Sequence, residues 1–366
     1  VPGSVCLPNA ELAHRAASLG NLEQAPLVIT CAGRTRGIVG AIGMRIAGYG
    51  GPVMALENGT QGWALAGETL ERGATAAPFP SLDAAAANAS RQAADRIIAQ
   101  FGLTEVTIEE AAALLRDQGR TSYLFDTRSA LEAENDPVPG AVHAPSGQVT
   151  QATDQWIGAL RSRVVLCCDT GLRSALAGFW LKQLGYDVFV LRLTADRSAL
   201  PNPAPDTQPP SLPTLTAQDA LQALADGAVL VDLRGSMAFR KAHVAQAIWA
   251  CRPGLAAALS GHEDRLVLLL ADDVTQTAWV AQDLHKAGHA RVMAVAGGMD
   301  ALVQAGAPLV SSPDIPADER CIDHLFFVHD RHDGNLDASR RYLEWETGLV
   351  AQLSKAEREE YHLIAP

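Results

Sequence analysis

The sequence predicts an α/β fold built from tandem modules, each a central parallel sheet flanked by helices. Three observations carry this. First, one unit recurs three times: an apolar strand, a short polar loop, a helical pattern and a second apolar strand. It is centred on Val28-Ile29-Thr30-Cys31, on Val165-Leu166-Cys167-Cys168 and on Leu268-Leu269-Leu270-Ala271. Second, strand and helix patterns alternate along the chain, as units around a parallel sheet do. Third, 164–167 and 265–270 are almost uniformly apolar, as strands covered on both faces require.

The elements follow in order. Val1-Pro2-Gly3-Ser4-Val5 has its counterpart in Val138-Pro139-Gly140-Ala141-Val142. Pro2 precedes Cys31 by 29 residues, and Pro139 precedes Cys168 by 29. The second copy also has Asp126-Thr127-Arg128, 42 residues before Cys168, and the third has Asp232-Leu233-Arg234, 39 residues before Ala271. Repeat spacing would put the matching Asp-x-Arg of the first copy about ten residues ahead of Val1. Residues 1–78 are therefore expected to hold only the C-terminal part of a first domain, in an N-terminally truncated chain, and to be its least stable region. Residues 79–103 read as an Ala-rich helical linker carrying Arg91, Asp95 and Arg96. Complete domains are expected over 104–196 and 214–310. Between them, 197–213 is a Pro-rich linker, with six prolines in the thirteen residues from Pro201 to Pro213.

Helical spacing after each loop fixes the three helices. The apolar positions are Ile38, Val39, Ile42 and Ile46, then Leu176, Phe179, Trp180 and Leu184, then Val280, Leu284 and Ala287. Asn58, Gly59, Gly62 and Trp63 read as a turn and packing element. The 311–366 tail lies outside the repeat. It is expected to be helical from Asp337 to Leu353, with Leu343, Trp345, Leu349, Val350 and Leu353 as the apolar positions.

Composition narrows the function. A formal charge of -12 argues against a nucleic-acid partner, and no apolar run approaches a membrane span. Six cysteines without framework spacing favour reduced thiols in the cytoplasm. The sequence leaves homo-oligomerisation open, and it calls for no cofactor and no metal. His324, His329, Asp330, His332 and Asp333 lack a metal-ligand spacing and read as surface or turn residues.

The chemistry concentrates in the loops. Cys31-Ala32-Gly33-Arg34-Thr35-Arg36-Gly37 and Cys168-Asp169-Thr170-Gly171-Leu172-Arg173-Ser174 are both Cys-x4-Arg loops at the end of a buried strand. Loop amides turned inward form an anion nest, and the following helix N-terminus adds positive charge. Both favour a thiolate, the nucleophilic form. Arg34, Arg36 and Arg173 are the candidate anion binders. In the third copy, Ala271 and Gln276 replace cysteine and arginine, so that copy is expected to be inactive. Asp169 stands where a cation would help an anionic donor, which makes Cys168 the weaker candidate. Cys167 reads as a strand residue facing the other side of the sheet. Cys6, Cys251 and Cys321 read as structural or incidental.

These motifs resemble the rhodanese family of sulfurtransferases, repeated over roughly residues 1–310. The carriers are the two cysteine loops, Asp126-Thr127-Arg128 and Pro139-Gly140-Ala141-Val142. The closing Leu56-Glu57-Asn58-Gly59 and Ala296-Gly297-Gly298-Met299 resemble the family's terminal strand and turn. The resemblance implies five-stranded parallel sheets and ping-pong sulfur transfer. Cys31 and Cys168 would be the nucleophiles, and thiosulfate or a similar small molecule the donor. The acceptor would be cyanide or a thiol. The cradles would be Ala32, Gly33, Thr35 and Gly37 in one loop, and Asp169, Thr170, Gly171, Leu172 and Ser174 in the other. Asp126, Arg128, Asp232 and Arg234 would fix strand-end geometry. Two alternatives stand beside this: a non-catalytic repeat protein used for binding or regulation, and a cysteine-dependent phosphatase or arsenate reductase. The latter use Cys-x5-Arg, one residue longer than either loop here.

Overall fold

The computed structural model describes residues 1–364, except 21, 23, 24, 203–207, 325 and 327–333. Of the His/Asp group in the tail, His329, Asp330, His332 and Asp333 lie outside the described residues. The chain divides into two compact units, Val1–Ala204 with Phe327–Pro366, and Pro205–Phe326.

The first unit opens with α1 (Ala10–Arg15), β1 (Leu27–Ile29), α2 (Thr35–Ile46), β2 (Val53–Ala55) and α3 (Gly59–Leu65). β1 and β2 form a two-stranded parallel sheet, with Leu27 opposite Val53 and Ile29 opposite Ala55. α4 (Ala84–Phe101) follows. The Asp83 side chain accepts from the Ala86 amide at its start, and Gly102 ends it in the left-handed region at φ 59. Next come β3 (Thr104–Val106), α5 (Ile108–Arg116), β4 (Ser122–Asp126), α6 (Ala130–Asn135), β5 (Val142–His143), α7 (Ser146–Gln151), α8 (Thr153–Trp156), β6 (Arg163–Cys168), α9 (Leu172–Gln183) and β7 (Asp187–Arg192). Two of these helices start on capping boxes written in the sequence, Thr107 with Glu110 and Ser129 with Glu132.

The sheet runs β3-β7-β6-β4-β5, parallel throughout. Strand alternation divides its core between two faces. Val165 and Cys167 pack with Ile108, Ala111 and Ala112 of α5. Val164 and Leu166 pack with Ala177 and Leu181 of α9. Each fully buried Leu or Phe contributes roughly 1.5–3 kcal/mol. The Ala-rich α4 lies on α9 through Ala93, Ala94, Ile97 and Phe101, so the expected linker is part of this core.

The second unit repeats the plan. It holds β8 (Thr214–Leu215), α10 (Ala217–Ala225), β9 (Val229–Asp232), α11 (Ser236–Lys241), β10 (His243–Val244), β11 (Ile248–Trp249), α12 (Leu255–Ala258), β12 (Val267–Leu270), α13 (Val274–Lys286), β13 (Val292–Val295), α14 (Gly298–Gln304) and β14 (Leu309–Val310). Its parallel sheet runs β11-β9-β12-β13-β8, and β10 pairs antiparallel with β14. Both five-stranded sheets share one topology. In each, the strand before the loop lies beside the strand after the following helix. β1 and β2 stand in that same relation to α2.

The tail returns to the first unit as α15 (Leu336–Gln352), which packs against α3. Leu343 is buried there, whereas Trp345, Leu349 and Val350 are exposed, so the apolar stripe read from the sequence is only partly used. Among the described residues, no helix is long and apolar enough to cross a membrane.

Candidate active site

Both cysteine loops are built alike. β1 runs into Cys31, and α2 starts four residues on at Thr35. β6 ends at Cys168, and α9 starts four residues on at Leu172. Arg36 and Arg173 therefore take the same place, second in their helices. All six cysteines are free thiols.

The Cys31 loop rests on the 56–61 segment. The amides of Leu56, Thr60 and Gln61 donate to the carbonyls of Ile29, Cys31 and Ala32 at 2.8, 2.8 and 3.1 Å. Gly59, at φ 57, must be glycine, because a Cβ there would collide with the Cys31 and Gly33 carbonyl oxygens. With its carbonyls held from below, the loop leaves the amides of residues 32–37 without an acceptor among the described residues. Unpaired amides at the start of α2 are the groups from which an anion nest would be built. Cys31, Arg34 and Arg36 are half-buried, and neither guanidinium has an ion-pair or hydrogen-bond partner among the described residues. Gly33 and Gly37 are buried, Ala32 is half-buried and Thr35 is exposed.

The Cys168 loop is buried except at Asp169, which is exposed. Cys168, Leu172, Arg173 and Ser174 are each 0% exposed. Arg173 was expected to meet an anionic substrate, but its guanidinium is committed to three carboxylates. Nη1 donates to Glu11 Oε1 at 2.7 Å and Glu132 Oε2 at 2.6 Å, and Nη2 donates to Asp169 Oδ1 at 2.6 Å. Glu11 comes from α1, whose Arg15 also binds Glu11, Glu132 and the Pro80 carbonyl. The physical reason for the difference is that α1 adds Glu11 to the two carboxylates, Glu132 and Asp169, that the second copy itself sets on Arg173. The same contacts tie residues 1–78 to the second copy, a support not foreseen in calling that stretch the least stable. Thr170 Oγ1 shares hydrogen bonds with Ser90 and lies 3.4 Å from the Leu172 amide. Gly171 initiates α9 at φ 86.

His14 lies in the same cluster, its Nδ1 2.8 Å from Ser90 Oγ. Burial, reinforced by the Arg173 charge, lowers its pKa from 6.5 to about 4. Burial pushes Glu132 up, but the hydrogen bonds and charge of Arg173, with Ser129, outweigh it and bring that carboxyl to about 2. His14, Glu132 and Asp169 offer ligand atoms within 4.8 Å of one another, and the cation lying among the two carboxylates is the Arg173 guanidinium. The unfolded chain binds a proton at His14 between pH 6.5 and 4 that the folded chain refuses. Stability should therefore fall as pH drops through that window, by up to roughly 3 kcal/mol. Urea midpoints at pH 7 and pH 5 test this against His14→Gln. The variant should lose much of the pH dependence, and an equal dependence in both proteins would contradict the assignment.

Asp126 and Arg128 form a bidentate pair, with Arg128 Nε and Nη2 donating at 2.7–3.1 Å. Asp232 and Arg234 repeat it at 2.7–3.2 Å. In both copies the arginine's own amide also donates to the aspartate at 3.0 Å, closing the strand end. Cys167 is fully buried in the α5-facing core, and that burial raises its pKa well above the usual thiol value. Ala271 is buried at the end of β12, and Gln276 lies within α13.

Several residues here were not singled out from sequence. Glu132 had a signal, since Ser129-x-x-Glu132 is a capping box, and Glu11 with Arg15 is an i,i+4 pair. His14 and Gln61 had none.

A family model described as a rhodanese-like domain matches residues 107–193 and 216–305. Those are the second and third copies, and the segment bearing Cys31 lies outside both matches. A crystal structure of a thiosulfate sulfurtransferase from Pseudomonas aeruginosa is similar over 100% of this chain and 70% of its own, with a TM-score of 0.81 and 29% identity. A rhodanese-like domain from Anabaena sp. aligns with 31% of this chain and 86% of its own, at 20% identity and a TM-score of 0.25. A rhodanese-related protein from Thermoplasma volcanium aligns with 27% and 97%, at 17% identity and a TM-score of 0.24. No curated protein matches the sequence.

Proposed function

Because two stretches of the chain match a rhodanese-like domain, we propose that it is a thiosulfate sulfurtransferase whose working nucleophile is Cys31, in the segment that precedes them. One contrast carries this reading. Cys31 is half-buried and the two guanidiniums of its loop have no partner among the described residues, whereas Cys168 is buried and the arginine of its loop is bound by three carboxylates. A dianionic donor needs the first environment and is repelled by the second.

In the first half-reaction the Cys31 thiolate attacks the outer sulfur of thiosulfate. A Cys31–sulfur bond forms, the sulfur–sulfur bond of thiosulfate breaks, and its electron pair leaves on sulfite. In the second, cyanide or a thiolate attacks the outer sulfur of the persulfide. The electron pair of the cleaved bond returns to Cys31, and thiocyanate or a new persulfide departs. Arg34 and Arg36 hold the donor's sulfonate end, and the amides of 32–37 stabilise the negative sulfur. Neither loop is long enough to match the Cys-x5-Arg of the phosphatases. Ala271 favours a purely structural or binding role for the third copy. Initial rates over thiosulfate and cyanide should give parallel double-reciprocal lines. Intersecting lines would exclude a persulfide intermediate released from donor before acceptor binds.

A further inference from the structure

A site for thiosulfate needs donors and positive charge, yet two acceptors without donors converge on the Cys31 loop. α15 sets Glu346 against it, and Thr35 Oγ1 donates to Glu346 Oε1 at 2.6 Å. Glu346 Oε2 is buried, and among the described residues no group donates to it. On the neighbouring element, Gln61 is 5% exposed. Its Nε2 donates to the Ala32 carbonyl at 3.1 Å, which fixes the amide orientation. Gln61 Oε1 is then left buried, and it too has no donor among the described residues. Exchanging its two amide atoms would set an oxygen against the Ala32 carbonyl and cure nothing. Both side chains meet at Gly33: a Cβ there would stand 3.3 Å from Glu346 Oε2 and 3.4 Å from Gln61 Nε2. The Tyr342 ring walls the same point, 3.4 Å away.

A buried acceptor without a donor keeps the cost of its lost hydration, and an anionic one pays more. Thiosulfate and cyanide bring no hydrogen to donate. An ammonium group brings three, with the charge that matches Glu346. Resting on the Cys31 reading above, we propose that Glu346 and Gln61 make this site selective for acceptor thiols that carry an ammonium group. The two residues act in the second half-reaction. They hold the acceptor's cationic end while its thiolate attacks the outer persulfide sulfur, and the electron pair of the broken bond returns to Cys31. Gly33 leaves room for that contact, since any side chain there would crowd both acceptors.

The test loads Cys31 with thiosulfate, removes excess donor, and follows persulfide discharge by cysteamine, 2-mercaptoethanol and 3-mercaptopropionate. Wild type is compared with Glu346→Gln, whose amide oxygen still accepts from Thr35. The cysteamine rate should fall ~10-fold while the 2-mercaptoethanol rate changes less than ~2-fold. The 3-mercaptopropionate rate should rise. Simple undocking of α15 would move all three rates together, and that outcome, like an unchanged ratio of cysteamine to 3-mercaptopropionate, overturns the proposal. Absence of a Cys31 persulfide at the loading step would instead overturn the sulfurtransferase reading, and the inference with it.

Discussion

Replacing Cys31 with serine should lower sulfur transfer from thiosulfate to cyanide roughly 100-fold or more, while Cys168→Ser should change it less than about 3-fold. The hydroxyl of serine is far less nucleophilic than a thiolate and forms no stable sulfur adduct. The loop itself should survive, because its hydrogen bonds to the 56–61 segment come from backbone carbonyls and not from the thiol. Cys168, in contrast, has no exposed surface, and the guanidinium of its own loop is held by Glu11, Glu132 and Asp169. Steady-state rates on the two variants decide this. Comparable losses in both would mean that the Cys168 loop opens during turnover.

The largest effect on stability is expected from Arg173→Met. The guanidinium is fully buried and binds three carboxylates from three segments of the chain. Removing it leaves Asp169 without its cation, and Glu11 and Glu132 with Arg15 alone. Breaking a buried pair from one side costs about 3–5 kcal/mol, because the remaining charge is uncompensated. α1 should loosen first, since Glu11 is one of the contacts that hold it to α9, beside the packing of Ala10. Urea unfolding measures the loss, and hydrogen exchange in residues 10–15 locates it. A loss below about 1 kcal/mol would mean that the network contributes little beyond packing.

Much of the fold was legible because its signals are local. Near-continuous apolar strands, helical spacing after each loop and capping residues such as Thr107 and Ser129 are written within a few positions of where they act. Repetition made the second and third sheets mutually informative, down to the Asp126–Arg128 and Asp232–Arg234 pairs. The strand, turn and helix start around Cys31 were legible for the same reason, since a cysteine and two arginines stand there in one short stretch. What was not legible depends on segments distant in the chain. Arg173 looked like an anion binder because its motif says nothing of α1, 162 residues away through Glu11. Glu346 sits 311 residues from Thr35 and looks like any surface carboxylate of an amphipathic helix. The i,i+4 pair of Glu11 and Arg15 could be seen, but not what it would cover.

The most direct test of the account is a map of sulfane sulfur on the intact chain. The protein is treated with thiosulfate, free and persulfidated thiols are alkylated, and peptides are read by mass spectrometry. The expected result is one added sulfur on the peptide containing Cys31, and none on those containing Cys167, Cys168, Cys251 or Cys321. Sulfur on Cys168 with Cys31 unmodified would contradict the assignment of the working site. No sulfur on any cysteine would contradict the proposed activity itself.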